Sequence, residues 1–249
     1  MRMRNLLGIL LIPVVFAGQV QASDQVRVAV ASNFVTAIRD LATAWEQASG
    51  QRAILVTGST GKLYAQIRNG APFDVFFAAD TRRPQLLESE DLALPGSRFT
   101  YARGLLVLWS PDPDRVDPNG EVLAGGDFKH IALANPRLAP YGRAAEQVLR
   151  ALRQWDRLRS RMVRGENIGQ AFQFVHSGNA ELGFVARSQV RYPGSSRTGS
   201  LWEPPQALYD PIEQQAVLLK DRPATRDFLN FTRSSAGLEI IRSHGYERP

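Results

Sequence analysis

The 249-residue chain contains no cysteine, and that absence removes several function classes at once. A disulfide scaffold, a thiol nucleophile, a cysteine-ligated metal and a lipid-modified N-terminal cysteine all need a residue the chain lacks. Histidine is scarce: His130, His176 and His244 are the three present, and none falls at an H-E-x-x-H or other metal-ligand spacing. No G-x-S-x-G nucleophile elbow occurs. The run Gly58-Ser59-Thr60-Gly61-Lys62 looks like the end of a phosphate-binding P-loop. The motif's first glycine, however, would stand at Val56, and its magnesium-binding hydroxyl at Leu63. Asp74 and Asp80 offer a carboxylate pair, but a strand end and its loop are ordinary places for aspartate. These absences point away from an enzyme and from a bound cofactor.

Long apolar runs are missing too, except at the start. Arg2 and Arg4 precede an apolar stretch from Leu6 to Ala17, and Val20-Gln21-Ala22 ends a short polar segment with small residues. This is the order of a secretory signal peptide. The stretch is too short to cross ~30 Å of hydrocarbon at ~1.5 Å per residue. The expectation is a signal peptide over residues 1–22, cleaved after Ala22, and a soluble periplasmic protein.

The formal net charge is +6, and loss of Arg2 and Arg4 leaves +4. The excess is arginine and it is scattered, through Arg82-Arg83, Arg143 and the stretch Arg150–Arg164. No aromatic platform interleaves these charges as single-stranded nucleic acid would require. They read as a solvated basic helix face, with no nucleic-acid partner.

What is present is alternation. Val26–Ala31 reads as a buried strand. Phe34, Ile38, Leu41, Ala42 and Trp45 then recur on one helical face, which Gly50 ends. Strands at Ala53–Thr57 and Asp74–Ala78 alternate with helices through Leu63–Ile67 and Gln85–Leu87, implying a mainly parallel sheet covered by helices. The pattern restarts at Gly104, with strands at Leu105–Trp109, Ile131–Ala134 and Leu182–Ala186 and helices from Tyr141 and Ile168. After a Pro/Gly/Ser-rich segment, Tyr192–Pro205, come a strand at Gln215–Leu219 and two helices. The fold class is α/β, in two halves of similar size, with a tail that could return to the first.

Four strand-to-helix junctions carry small polar residues: Ser32-Asn33, Ser59-Thr60, Asn135 with Ala139-Pro140 before Tyr141, and Glu166-Asn167 before Ile168. A helix start presents unpaired N–H groups and the positive end of its dipole, which suits an anion. In parallel sheets such junctions gather at the carboxyl ends of the strands. Plain helix capping explains any one of them equally well.

At these residues the chain resembles the periplasmic molybdate-binding proteins of ABC transporters. The markers are Val28-Ala29-Val30-Ala31-Ser32-Asn33-Phe34, Gly58-Ser59-Thr60-Gly61, Asn69-Gly70-Ala71-Pro72, Asp74-Val75-Phe76-Phe77, Ala139-Pro140-Tyr141-Gly142, Leu182-Gly183-Phe184-Val185 and Gly245-Tyr246. The resemblance implies a two-lobed type II periplasmic binding protein with its ligand in the interlobe cleft. Residues 23–103 would form the first part of lobe 1, 104–207 lobe 2, and 208–249 the return to lobe 1. It implies molybdate or tungstate as ligand, an inner-membrane ABC permease as partner and a monomeric protein. Carried over, the contacts are Ser32 and Asn33, Thr60 with Ser59 beside it, and the main-chain N–H groups of Tyr141 and Ile168. Many members place a tyrosine just after the Leu182–Val185 strand; this chain has Ala186, and Asn33 is the expected replacement donor. Another small oxyanion, such as sulfate or phosphate, is the alternative ligand within the same fold.

Overall fold

The computed structural model describes residues 25–191 and 198–247. The expected signal segment and its cleavage point at Ala22 lie outside the described residues, as does part of the Tyr192–Pro205 segment. In chain order the first elements are β1 (Gln25–Ala31), α1 (Val35–Ser49), β2 (Arg52–Gly58), α2 (Thr60–Arg68), β3 (Val75–Ala78) and α3 (Arg82–Ser89). Next come β4 (Phe99–Gly104), β5 (Leu106–Ser110), α4 (Val122–Gly125), β6 (Ile131–Ala134), α5 (Pro140–Ala151) and α6 (Trp155–Leu158). Then follow β7 (Met162–Gly165), α7 (Ile168–His176), β8 (Leu182–Ala186), α8 (Arg187–Val190), β9 (Ser200–Trp202), β10 (Ile212–Leu218), α9 (Pro223–Arg233) and α10 (Ser235–Ser243).

Two five-stranded sheets result, ordered β2-β1-β3-β10-β4 and β7-β6-β8-β5-β9. In the first, β1 pairs in parallel with β2 and β3, and β10 runs antiparallel to β3 and β4. The second repeats this plan: β6 is parallel to β7 and β8, and β5 is antiparallel to β8 and β9. Each sheet's one reversed strand enters just after the chain has crossed from the other sheet. The fold is therefore α/β and two-lobed, with mainly parallel sheets flanked by helices.

Local chemistry explains the elements. The central strands β3, β6 and β8 are buried along their whole length, as sheets covered on both faces require. Gly50 closes α1 in the left-handed region at φ 72°, donating its N–H to Glu46 O at 2.9 Å, a conformation glycine adopts without strain. Trp45 from α1, Phe77 from β3 and Phe228 from α9 stack edge to face in the first core, and Trp45 Nε1 donates to Asp227 at 2.7 Å. The second core is built on Leu133, Val148, Leu149 and Phe184.

Three strands escaped the periodicity. β4 alternates poorly, with half-buried positions at both polar and apolar residues. β7 is a four-residue edge strand with an exposed arginine, and β9 lies inside the segment whose composition reads as loop. The arginines of Arg150–Arg164 are also more than a solvated face. Arg157 donates to the carbonyls of Leu123 and Ala124, and Arg161 to those of Gly126 and Phe128. These bonds satisfy the orphan carbonyls at the end of α4. Arg150 and Arg164 flank the Trp155 ring, a cation–π arrangement.

Candidate ligand-binding site

The four helix starts meet. A small cavity of about 10 Å³ between the sheets is lined by Ser32 and Asn33 after β1, Ser59 and Thr60 after β2, Tyr141 at the head of α5 and Ile168 at the head of α7. Ala31, Gly58, Ala79, Ala139, Pro140 and Asn167 complete the wall, and none of the lining residues is ionisable as acid or base in the physiological range. All six residues expected from the sequence are thus brought to one place. Their side chains play different parts.

Ser59 caps α2, its hydroxyl accepting the N–H of Lys62 at 3.3 Å. Thr60 is buried and its hydroxyl accepts the N–H of Ala79 at 3.1 Å. The Ser32 hydroxyl accepts the N–H of Gly169 at 3.2 Å, across the cleft. In each case the oxygen's acceptor capacity is used and the proton remains to donate. Pro140 opens α5 with no N–H, so Tyr141 supplies the helix's first donor. Asn167 caps α7 through its side chain, accepting from Gln170 N at 3.0 Å, which leaves the N–H of Ile168 unpaired within the helix.

The Asn33 and Tyr141 side chains turn elsewhere. Asn33 Nδ2 donates to Gln214 Oε1 at 2.7 Å and to the Tyr246 hydroxyl at 3.2 Å, using both amide protons. Tyr141 is fully buried and its hydroxyl accepts from Gln214 Nε2 at 3.2 Å. Both residues therefore face the cavity with main chain. Burial pushes the Tyr141 phenol well above the usual value of about 10, so it stays protonated. At Ala186, β8 ends with its N–H donating to Gln189 Oε1 at 2.9 Å, and Gln189 Nε2 donates to Ile168 O at 3.3 Å. A glutamine brace thus joins the end of β8 to the head of α7.

The walls are drawn together. Gly61 N donates to Leu138 O at 2.8 Å. A Cβ at Gly61 would lie 2.9 Å from that oxygen and 3.1 Å from Leu138 Cα, so only glycine admits this approach. At the rim Lys62 Nζ meets Glu166 Oε2 at 2.9 Å, joining α2 to the turn before α7.

A family profile described as bacterial extracellular solute-binding protein matches residues 26–247. The chain belongs to that family. It is 48% identical over 225 residues to the molybdate-binding protein ModA of Azotobacter vinelandii, covering 89% of each chain. It is 44% identical over 228 residues to the ModA of Rhodobacter capsulatus, covering 90% of this chain and 89% of that one. The solved structure of the Azotobacter vinelandii periplasmic molybdate-binding protein superposes with a TM-score of 0.87 at 43% identity, over 90% of this chain and 99% of the other.

The residues sequence reasoning did not single out are Gln214, Tyr101, Ser188 and Gln189, together with the role of Tyr246. Gln189 bonds within its own turn to Ala186, but the partners of the others lie far along the chain, Asn33 with Gln214 being 181 positions apart, beyond the reach of any local pattern.

Proposed function

We propose that this protein is the periplasmic substrate-binding component of an ABC importer. It captures molybdate, and tungstate equally, between lobes formed by residues 23–103 with 208–249 and by residues 104–207, and delivers it to the membrane permease. The observation that carries the reading is the meeting of four neutral helix starts at one small cavity, in a chain 48% identical to a molybdate-binding protein. The donors are the hydroxyls of Ser32, Ser59 and Thr60 and the main-chain N–H groups of Asn33, Tyr141 and Ile168.

A tetrahedral dianion suits this set. Hydrogen bonds to a charged group contribute about 1.5–3 kcal/mol each, and oriented helix dipoles add to them. Dehydration of the anion and ordering of the lobes subtract from that sum, leaving an expected affinity in the nanomolar to micromolar range, roughly −12 to −8 kcal/mol. With no cation in the wall, size and donor direction select the ligand. The smaller sulfate leaves donors unsatisfied, and protonated phosphate brings a hydrogen that a wall of donors does not accept.

A thermal-shift series with molybdate, tungstate, sulfate and phosphate tests the reading. A ligand at about 100 times its Kd adds ~2.7 kcal/mol, which for a chain of this size raises Tm by roughly 5–10 °C. Molybdate and tungstate should give this shift and sulfate and phosphate much less. A sulfate shift equal to that of molybdate overturns the assignment.

A further inference from the structure

Behind the cavity lies a buried polar network that direct ligand contact leaves unexplained. Its centre is Gln214, fully buried on β10 at a bulge in the pairing with β4. The Gln214 carbonyl oxygen accepts from Asn33 Nδ2 at 2.7 Å and from the Tyr101 hydroxyl at 2.9 Å. Its amide nitrogen donates to the Tyr141 hydroxyl at 3.2 Å. The Tyr246 hydroxyl donates to the Asn33 carbonyl at 2.7 Å and accepts from Ser188 Oγ at 3.1 Å. Gly104, at the crossing between sheets, is the space that admits this cluster. A Cβ there would lie 2.1 Å from the Tyr141 hydroxyl and 2.5 Å from Gln214 Nε2.

The connectivity is informative. Asn33 and Tyr141 stand at cavity-lining helix starts of opposite lobes, and one side chain grips both. Gln214 itself lies on the strand by which the chain returns from the second sheet to the first. A primary amide is the side chain that can accept from one lobe and donate to the other at the same time. In a buried site each of these bonds is held tightly, because an unmade one leaves a desolvated polar group.

Resting on the oxyanion-site reading above, we propose that Gln214 is a positioning residue. It fixes the spacing between the Asn33 and Tyr141 main-chain donors, and so sets both the grip on the anion and the discrimination between large and small oxyanions.

The test uses Gln214→Met, which keeps the length and removes the amide, Tyr141→Phe, which removes only the hydroxyl, and the double variant. Calorimetry with molybdate and with sulfate, and stopped-flow binding and release of molybdate, are measured beside wild type. Tyr141→Phe, which loses one buried hydrogen bond, should bind molybdate about ten-fold more weakly, and Gln214→Met, which loses three, at least as weakly, both mostly through faster release. The molybdate-to-sulfate preference should narrow. The double variant should lose no more than Gln214→Met alone, because that change already breaks the link to Tyr141. A merely structural role would lower Tm while leaving the preference between anions intact, and that result overturns the proposal. So do folded variants with wild-type affinity. Should Gln214→Met fail to fold, Tyr141→Phe decides alone by the same two readouts. Wild-type protein that ignores molybdate would instead overturn the functional reading, and this inference with it.

Discussion

The two lobes approach the cavity with different chemistry. From the first sheet come, beside the Asn33 main-chain N–H, the side-chain hydroxyls of Ser32, Ser59 and Thr60, each already fixed by an N–H that it accepts. From the second come Tyr141 and Ile168, whose side chains are buried in the second core, beside Asn167, whose side chain caps α7, so the donors proposed from that lobe are peptide N–H groups. The difference teaches where the sequence can vary. On the first side a donor is a choice of residue, while on the second it is a consequence of helix geometry that almost any residue satisfies. Tyrosine and isoleucine are there for packing and for the link to Gln214.

The largest effect should therefore come from the one substitution that removes a main-chain donor. Ile168→Pro deletes the N–H at the first position of α7, where proline is tolerated by helix geometry. Molybdate affinity should fall about 10- to 100-fold by calorimetry, with the helix retained by circular dichroism. Ile168→Val, which keeps the N–H, should bind within about two-fold of wild type, and a large loss there would erase the distinction between the lobes.

On the hydroxyl side, Ser32→Ala and Thr60→Val should each weaken molybdate binding by roughly ten-fold. They part in stability. Thr60→Val strands the buried N–H of Ala79 and should cost the anion-free protein about 1–3 kcal/mol in urea unfolding. Ser32→Ala loses only a half-buried acceptor for Gly169 and should cost less. Thr60→Ser should restore most of both quantities.

A smaller effect is expected at the rim. Lys62 and Glu166 are 52% and 32% exposed, and such pairs contribute about 0.2–1 kcal/mol. Glu166→Gln should speed release of the anion by no more than about five-fold, and the difference should vanish in ~1 M salt, where screening is strong. Smallest of all is the response to pH. The cavity wall holds nothing that titrates near neutrality, and burial raises the phenols of Tyr101, Tyr141 and Tyr246 behind it. Groups with raised values keep their protons through the neutral range, so molybdate affinity should stay flat between about pH 6 and 9. A titration in that window would place an ionisable donor in the site.

Much of this was legible beforehand for a physical reason. Strands β1, β3, β6 and β8 are short, largely apolar runs, and the helix starts that follow β1, β2 and β6 are local features of sequence. Three edge strands, β4, β7 and β9, were harder to read. β4 and β9 are recognised by their partners across the sheet and lack a pattern of their own. The cavity wall was readable as residues but not as atoms. Asn33, expected to donate by amide and backbone N–H and to replace a missing tyrosine, spends both side-chain amide protons on Gln214 and Tyr246. That commitment depends on residues some 180 and 213 positions away, and no local rule reports it.

The central claim is that the four helix starts hold the anion, and a crystal structure of the molybdate complex tests it most directly through the anomalous signal of molybdenum. The account predicts a single strong peak between the lobes. Its oxygens should lie within hydrogen-bond distance, about 2.7–3.2 Å, of the Ser32 and Thr60 hydroxyls and of the Tyr141 and Ile168 N–H groups. A peak elsewhere, or one coordinated by arginine or lysine, would contradict it.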